Sequence, residues 1–347
     1  MRIWFPTVRA RSGSDVYVER LVAGLRARGV DAQLQWFHHR YEFSPGLLRT
    51  IHPPRETDIV HANSWNGFAF ARKHIPLVVT AFHCVYHCGF PEWKTFAQKV
   101  YHDNLIGAYE RKSFECAASV VAMTPSAVAD FRARFRLPCT HVIHGWVDTD
   151  IFSPRCVPSP SDGCMRVLIV GNDSRRKGMD LLPELRALLG SKFLITVVSG
   201  LRGGRRFGSK GITWKSGLSV AELVEQYRAS DLVISLSRYE GFGYSALEAM
   251  ACAKPVVAFD VTGIQDVVVN GENGILVQSG SLRDIAGACE RLAKFPRERE
   301  RLGKAGRHAV ASIFSENAAL DSYLTVYEQL LSRSKGRAAT TLPSSGS

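Results

Sequence analysis

Residues 232–251 read LVISLSRYEGFGYSALEAMA and contain the pattern that decides the fold. An apolar run comes first, a loop with Gly241 and Gly243 follows, and the loop leads directly into a segment of helical periodicity. A strand followed by a glycine-containing loop and a helix is typical of α/β sheets, and the N-terminus of such a helix favours anions. Glu240 lies in the loop and Glu248 in the helix. The stretch predicts a ligand site, although a capping arrangement with a solvated glutamate gives the same local pattern.

The same alternation of short apolar strands and helical segments extends through the whole chain. Apolar runs occur at 3–8, 77–82, 119–123, 167–170, 194–198 and 256–259. Such alternation predicts doubly wound parallel sheets, and 347 residues exceed what one hydrophobic core usually holds. We therefore predict an α/β protein of two Rossmann-like domains that face a cleft, where ligands bind at the carboxyl ends of the strands.

Composition predicts where these domains begin and end. The segment PRCVPSPSDG at 154–163 is rich in Pro and Ser and has little to bury, so it reads as a linker. The predicted parts are an N-terminal domain at 1–153, a linker at 154–164, a C-terminal domain at 165–315, a last helix at 316–332 and a disordered tail at 333–347. The last helix carries an apolar stripe, which suits packing on a domain or a dimer seam.

Several protein classes are excluded by composition. The chain is 46% hydrophobic and 22% charged, which is typical of a globular protein, and no apolar run approaches the ~20 residues that span a bilayer. Pro6 and Arg9 interrupt the apolar run of a signal peptide, so we predict a cytoplasmic protein. The eight cysteines are mostly far apart. The cluster HCVYHC at 83–88 allows a zinc site, but buried thiols are favoured, and we predict no metal.

The net charge of +12 suits nucleic acid, an anionic membrane or a phosphorylated substrate. Lysine and arginine exceed the acidic residues by the same margin up to residue 155 and beyond it. No zinc knuckle, helix-turn-helix or aromatic RNA-binding strand pattern is present, so a nucleic-acid-binding protein is the less favoured alternative. The segment at 93–111 mixes aromatic and basic residues. It suits either peripheral contact with an anionic membrane or an ordinary helix packed on the core.

Five motifs occur in an order and spacing that resemble the retaining glycosyltransferases of family 4. They are VIHGWVDTDIF at 142–152, the residues around RKGMD at 176–180, RYEGFG with EAMA at 238–251, KPVVA at 254–258 and NGENGILV at 270–277. The resemblance covers nearly the whole chain. It implies the GT-B fold of two Rossmann domains, with a C-terminal helix that crosses back to the first domain.

The resemblance also implies roles for residues of the second half. Glu240 would contact the hydroxyls of the transferred sugar, and Glu248 would bind the nucleotide ribose. Lys177, supported by Arg176, would neutralise the donor diphosphate, a role suited to fixed cations. The loop that surrounds the first glutamate would complete the donor site with Gly241, Phe242, Gly243 and Tyr244.

In the first half the match to the family is sparser. Gly13, in the loop RSGSD, is the implied backbone contact to the diphosphate, and His83, after the strand VVTAF, would orient the donor sugar. A histidine at the end of a strand also serves structural roles. The sequence departs from the family at four positions. Asn172 replaces Arg, Ala253 replaces Gly, His144 replaces Asn and Thr262 replaces Gly.

The implied activity is retaining transfer of a sugar from a nucleotide-diphosphate sugar to a hydroxyl of a glycan, glycolipid or lipid-linked acceptor. Polysaccharide or glycoconjugate biosynthesis is the expected setting, with no required metal or cofactor. The partners are the nucleotide sugar and the acceptor, with peripheral association to an anionic membrane and without nucleic acid. An epimerase or a phosphorylase-like enzyme of the same fold is the alternative within the enzyme class.

Overall fold

The computed structural model describes residues 1–10, 13–86, 95–155, 163–199 and 211–340, with side chains described up to residue 333. In this part of the chain, two compact units are present. The first holds the residues up to His144 together with the segment from Glu316, and the second holds Gly145–Ser315.

The start of the second unit at Gly145 differs from the predicted boundary at 153. The reason is that side chains of the second unit hold the backbone that precedes the predicted linker. Arg307 donates to the carbonyls of Phe152 (2.9 Å) and Thr149 (3.1 Å), and Arg228 donates to the carbonyl of Ser153 (2.9 Å). Most of the predicted linker, 156–162, lies outside the described residues.

The first unit is built on a parallel sheet. Its strands are β1 (Arg2–Val8), β2 (Asp31–Phe37), β3 (Ile59–Asn63), β4 (Leu77–Ala81), β5 (Ser119–Ala122) and β6 (Thr140–Val142). Their spatial order is β2-β1-β3-β4-β5-β6. The helices before the second unit are α1 (Gly13–Ala27), α2 (Phe96–Val100), α3 (Gly107–Cys116) and α4 (Pro125–Arg132), and a π-helical turn at Tyr101–Ile106 joins α2 to α3. Strands β3, β4 and β5 are buried along their whole length, as expected when helices and loops cover both faces of a parallel sheet.

The second unit repeats this architecture. Its strands are β7 (Met165–Val170), β8 (Phe193–Ser199), β9 (Ile212–Ser216), β10 (Leu232–Ser235), β11 (Val256–Phe259) and β12 (Ile275–Val277), in the order β12-β11-β10-β7-β8-β9. Its helices are α5 (Leu182–Leu189), α6 (Val220–Ala229), α7 (Tyr244–Ala251), α8 (Leu282–Lys294) and α9 (Pro296–Ser312). All strand pairs are parallel. The prediction of two doubly wound α/β domains is confirmed.

The last helix, α10 (Glu316–Thr340), belongs to the first unit. The hydroxyls of Tyr17 and Tyr323 are hydrogen-bonded at 2.6 Å, and His61 Nδ1 lies 2.7 Å from the Tyr327 hydroxyl. Arg28 adds an ion pair to Asp321 at the surface. The apolar stripe of α10 is therefore used within the chain.

The helix α10 extends into the predicted tail of 333–347. It continues to Thr340, because Arg, Lys and Ala dominate this stretch and are good helix formers. Residues 341–347 lie outside the described part. Among the described residues, none of the helices combines the length and apolar character that crossing a bilayer requires.

Candidate functional site

The second sheet has a topological switch point between β7 and β10. These strands are neighbours, with Val167 paired to Leu232, yet the chain leaves β7 towards β8 on the opposite side. Loops that follow two such strands diverge and leave a crevice at the carboxyl edge of the sheet, which is where doubly wound folds bind ligands. The loop after β7 contains Lys177, and the loop after β10 contains Glu240.

The two loops are tied together before any ligand is considered. The backbone N–H of Arg238 donates to the carbonyl of Arg176 at 2.9 Å. The Arg238 guanidinium also binds Asp180 through two parallel hydrogen bonds, 2.7 Å to Oδ1 and 3.0 Å to Oδ2. A bidentate pair of this kind fixes orientation as well as distance. The relative position of Lys177 and Glu240 is therefore set by the scaffold.

The Glu240 carboxylate lies at the centre of this arrangement. Lys177 Nζ and the Ser237 hydroxyl (2.6 Å) both donate to Oε1, and Arg176 Nη1 lies 3.3 Å from Oε2. Only 8% of the Glu240 side chain is exposed, and the Lys177 side chain is 15% exposed. The structure thus brings together three of the residues predicted from the sequence, namely Glu240, Lys177 and Arg176.

The charges of these groups follow from their surroundings. Burial alone would raise the pKa of Glu240, but the positive charges of Lys177 and Arg176 and the hydrogen bonds from Lys177 and Ser237 outweigh it and lower the pKa to about 2. Burial lowers the pKa of Lys177, while the negative charge of Glu240 opposes that shift. Near neutral pH Glu240 is ionised, so it accepts hydrogen bonds and has no proton to donate.

Two glycines allow the loops to approach this closely. Gly178 has a φ of +70°, and a Cβ there would collide with the backbone of Leu236. Gly263 has a φ of +83°, and a Cβ there would collide with the carbonyl of Glu240. The N–H of Glu240 donates to the carbonyl of Thr262 at 3.1 Å, so the departure from the family at Thr262 leaves this backbone contact in place.

The second predicted carboxylate, Glu248, lies on α7 and is half-buried. The hydroxyl of Tyr227, a fully buried residue of α6, donates to Glu248 Oε2 at 2.8 Å. Burial, reinforced by the charge of Glu248, raises the pKa of Tyr227 well above its usual value, so this hydroxyl keeps its proton. Tyr227 therefore holds one carboxylate oxygen in a fixed direction.

The rest of the predicted donor loop divides into backbone and packing positions. Gly243, with a φ of +92°, precedes the first turn of α7, and Gly241 lies in the loop before it. Phe242 is only 2% exposed and packs edge-on against Tyr244 and Phe314, with ring centroids 5.1 Å and 5.8 Å apart. The Phe242 side chain therefore packs in the core of the second unit, and only its backbone is left to contact a ligand.

Gly13 and His83 belong to the first unit. Gly13 is exposed and is the first residue of α1, which follows β1. His83 is exposed and comes two residues after the end of β4. Both positions lie at the carboxyl edge of the first sheet, where ligands of such sheets bind. Their roles toward a donor stay predictions.

Three contributors to the site were not predicted from the sequence. They are Ser237, which donates to Glu240, Tyr227, which donates to Glu248, and the Arg238–Asp180 pair. Ser237 and Asp180 lie within or beside the quoted motifs, so their position was a usable signal. Tyr227 lies twenty-one residues before Glu248, and nothing in the local pattern links the two.

A metal is not needed to explain the contacts of these side chains. In the described part of the chain, no group of three or more His, Cys, Asp or Glu residues lies in a position to hold a metal ion. In the cluster at 83–88, Cys84 is buried, and burial raises the pKa of its thiol to about 12. His87 and Cys88 lie outside the described residues, and metal independence stays a prediction.

Comparison with protein families gives two matches that together span most of the chain. The family model described as Glycosyltransferase Family 4 matches residues 33–151, and the one described as Glycosyl transferases group 1 matches residues 161–309. The chain belongs to glycosyltransferase family 4. The matched ranges include the motifs that carry the resemblance in the sequence, except for Phe152 at the end of the first motif.

Curated relatives of this family 4 chain include a D-inositol 3-phosphate glycosyltransferase of Arthrobacter sp. (strain FB24). The two are 28% identical over 248 residues, which are 62% of this chain and 59% of the relative. The chain thus spans about three-fifths of the length of that relative.

Solved structures resemble this chain over almost its whole length. A sucrose-phosphate synthase from Thermosynechococcus elongatus has a TM-score of 0.81 at 21% identity, covering 96% of this chain and 100% of its own. Anabaena Alr3699/HepE in complex with UDP-glucose has a TM-score of 0.73 at 19% identity, covering 96% and 100%. At these identities the likeness establishes the fold, which is the GT-B fold that the sequence predicts.

Proposed function

We propose that this protein transfers a sugar, with retention of anomeric configuration, from a nucleotide-diphosphate sugar to a hydroxyl of a glycan, glycolipid or lipid-linked acceptor. Polysaccharide or glycoconjugate biosynthesis is the setting we propose for it. The observation that carries the proposal is the arrangement of Lys177 and Arg176 around the buried Glu240 carboxylate. It places fixed cations beside a fixed acceptor of hydrogen bonds, the combination that a diphosphate joined to a sugar requires.

In this proposal each group has a separate part of the donor to bind. Lys177 and Arg176 bind the diphosphate, and the N-terminus of α7 adds backbone N–H groups to the same anion. Glu240 accepts hydrogen bonds from hydroxyls of the transferred sugar. Glu248, oriented by Tyr227, accepts hydrogen bonds from the ribose diol. Gly13 and His83 contribute from the first unit, to the diphosphate and the sugar respectively.

The chemical step breaks the bond between the anomeric carbon and the diphosphate and forms one between that carbon and the acceptor oxygen, whose proton passes to the leaving phosphate. Negative charge grows on the leaving diphosphate, and the cations Lys177 and Arg176 stabilise it in a site that is already ordered. The anomeric centre becomes positively charged at the same time, and the leaving diphosphate and nearby dipoles stabilise it. Because Glu240 is ionised it has no proton to donate, and the role proposed for it is to hold the sugar through hydrogen bonds from its hydroxyls.

The nucleotide to test first is uridine diphosphate, since the related HepE structure is a complex with UDP-glucose. We would offer the purified chain a panel of UDP-, GDP-, ADP- and TDP-sugars without added metal, and measure binding and sugar release. We expect saturable binding of one nucleotide class. No binding of any nucleotide sugar by the folded protein would contradict the proposal.

The variant Glu240→Gln keeps the size of the side chain and removes its charge. We expect turnover to fall roughly a hundredfold or more, the usual effect of losing one polar group that stabilises a transition state. The matched control is Glu290→Gln, the same change at an exposed position of α8 in the same unit. Equal activity of Glu240→Gln and the control would refute the role assigned to Glu240.

Adding an acceptor separates a transferase from an epimerase or a phosphorylase-like enzyme. A transferase consumes donor faster when a glycan or lipid-linked acceptor is present and joins the sugar to it. An epimerase changes the donor sugar without any acceptor, and a phosphorylase depends on inorganic phosphate. Either of these outcomes would replace the proposed activity within the same fold.

A further inference from the structure

The first unit carries an exposed surface that is apolar and basic at once. It is formed by Phe43, Leu47, Arg49, Tyr109 and Lys112, and we call it the apolar–basic surface. Phe43 is 59% exposed and Leu47 is 70% exposed, which is unusual for large apolar side chains so close together in sequence. Both belong to the segment between β2 and β3, far in the sequence from the switch-point residues of the second unit.

Contacts hold this segment against the long helix α2–α3. The Tyr109 hydroxyl donates to the carbonyl of Phe43 at 3.1 Å, and the rings of Phe43 and Tyr101 lie 5.7 Å apart. Phe68 stacks on Tyr109 at 5.3 Å. The exposed apolar side chains therefore project from a supported backbone, and their exposure does not come from a loose loop.

Two cations lie beside the apolar side chains. The Arg49 guanidinium carbon is 5.2 Å from the centre of the Phe68 ring, and Lys112 Nζ is 5.9 Å from the same centre. Both side chains line an open cavity of about 260 Å³, together with Ser44, Leu47 and Tyr109. Ion-pair partners of Arg49 and Lys112 are absent among the described residues. Two positive charges lie beside the same aromatic ring and line an open cavity, which suits the binding of an anionic group.

The neighbouring helix continues the same character. Phe96 is 83% exposed and Val100 is 43% exposed, one turn apart on α2, and Lys99 lies between them. The helix is packed on the core only further along, where Ile106 and Glu110 are buried. The segment predicted from the sequence as either a membrane contact or a core-packed helix is thus exposed at its start and packed at its end.

We propose that the apolar–basic surface docks the protein on an anionic phospholipid bilayer. Arg49 and Lys112 bind lipid phosphates, while Leu47 and Phe43 enter the headgroup layer, with Phe96 alongside. Basic residues near an anionic leaflet and apolar side chains at the interface act together in this mode. The phosphate backbone of a nucleic acid would use the cations but gives an exposed aliphatic side chain such as Leu47 nothing to bind. The proposal deepens the proposed function, since a docked enzyme meets a lipid-linked acceptor at the surface.

The test is flotation of the full chain with vesicles of phosphatidylcholine, with and without phosphatidylglycerol. We expect binding only to the vesicles with phosphatidylglycerol. The variant Arg49→Ala/Lys112→Ala should weaken this binding about thirtyfold, from the typical contribution of two basic residues at an anionic surface. The control Arg283→Ala/Lys192→Ala removes the same charges from exposed positions of the second unit and should bind as the unaltered protein does.

A second variant, Phe43→Ser/Leu47→Ser, keeps every charge and removes the apolar contribution. We expect vesicle binding to be at least roughly tenfold weaker, because each apolar side chain buried at the membrane interface contributes to the free energy of binding. Absence of flotation, equal flotation with neutral vesicles or equal loss in the control would overturn the proposal. The proposal would also be overturned if the Phe43→Ser/Leu47→Ser variant floated normally and a duplex oligonucleotide competed with the vesicles. The surface would then bind nucleic acid.

Binding of the donor sugar, measured on the same preparations, separates this proposal from the proposed function. Donor binding without flotation overturns the docking surface and leaves the transferase intact. Flotation without donor binding overturns the proposed transferase and leaves the docking surface intact. Thermal unfolding of each variant establishes that it is folded before either result is counted.

Discussion

The buried carboxyl groups of the two units differ in their partners. Glu240 in the second unit lies against Lys177 and Arg176, whereas Glu110 in the first unit accepts a hydrogen bond from the Ser64 hydroxyl (2.8 Å) and forms no ion pair among the described residues. The pKa of Glu240 is lowered to about 2, although burial opposes this. Burial raises the pKa of Glu110 to about 7.

The comparison extends to histidine. His61 is fully buried between the Thr80 hydroxyl (2.6 Å) and the Tyr327 hydroxyl (2.7 Å), and burial lowers its pKa to about 3. Burial thus shifts Glu110 and His61 of the first unit towards their neutral forms, and His61 also holds α10. The second unit keeps a charged cluster at its switch point. Glu110 and Glu240 are similarly buried, so the lower pKa of Glu240 follows from the cations Lys177 and Arg176 beside it.

Removing one of those cations gives the largest expected effect. In Lys177→Met, Glu240 is left with Arg176 alone, and we expect the free energy of unfolding to fall by about 3 kcal/mol, as when one partner of a buried pair is removed. We also expect donor turnover to fall roughly a hundredfold. Chemical denaturation and donor kinetics measure the two effects.

The matched control is Lys192→Met, an exposed lysine of the same unit, which should change neither quantity. If Lys177→Met and Lys192→Met had the same effects, the ion pair between Lys177 and Glu240 would contribute neither to stability nor to turnover.

The next effect is a pair of opposite pH dependences in the first unit. The folded pKa of Glu110, about 7, lies above its usual 4.5, so its stabilising contribution is complete below pH 4.5 and is lost as the pH rises to 7. The folded pKa of His61, about 3, lies below its usual 6.5, so stability falls as the pH decreases from 6.5 towards 3. Between pH 4.5 and 6.5 the two effects oppose each other.

Single variants should therefore tilt the stability in opposite directions. In Glu110→Gln, the free energy of unfolding should rise with pH across this window, and in His61→Gln it should fall. Each slope approaches about 1.4 kcal/mol per pH unit, the value for one proton. Urea denaturation at several pH values measures the slopes, with Glu290→Gln as the surface control. Slopes of the same sign in both variants would contradict the opposite directions of the two pKa shifts.

A smaller effect is expected at Tyr227, which orients Glu248. Tyr227→Phe removes one hydrogen bond to a charged group, which contributes about 1.5 kcal/mol or somewhat more. We expect about a tenfold rise in the KM for the donor and little change in kcat, since Glu248 is assigned to the ribose and not to the reacting bond.

Tyr323→Phe is the control for Tyr227→Phe. It removes a buried tyrosine hydroxyl bond of the first unit, to Tyr17, and should lower stability without changing the KM for the donor. A KM that rises equally in both variants would show that Tyr227 acts through stability alone.

The smallest effect concerns the backbone at Ala253. Its φ of +55° is in the left-handed region, where the family commonly has glycine. Ala253→Gly relieves this strain and should raise the free energy of unfolding by about 1 kcal/mol. The same substitution at Ala187, an exposed residue of α5, should lower it by about 0.5–1 kcal/mol. Thermal unfolding distinguishes the expected gain in stability from the expected loss. A lower free energy of unfolding in Ala253→Gly would contradict the proposed backbone strain at Ala253.

Much of the fold could be predicted because the strands are short, apolar and evenly spaced. Buried parallel strands such as β4 and β10 read as continuous apolar runs, so periodicity alone indicates them. The end of α10 and the start of the second unit at Gly145 were predicted less well. The start of the second unit depends on side chains distant in the sequence, such as Arg307. The end of α10 depends on helix propensity that continues past the apolar stripe.

The sequence by itself determined the chemistry that is available: a lysine and two glutamates in motifs of family 4, glycines beside them and a basic chain. These properties are local, because residue type and spacing along a strand–loop–helix unit suffice to define them. Only the tertiary structure decided that Ser237 and Tyr227 orient the two carboxylates, that Phe242 is buried in packing, and that burial raises the pKa of Glu110. These outcomes depend on which groups meet between neighbouring loops and helices and on how completely water is excluded there, and both arise only when the chain has folded.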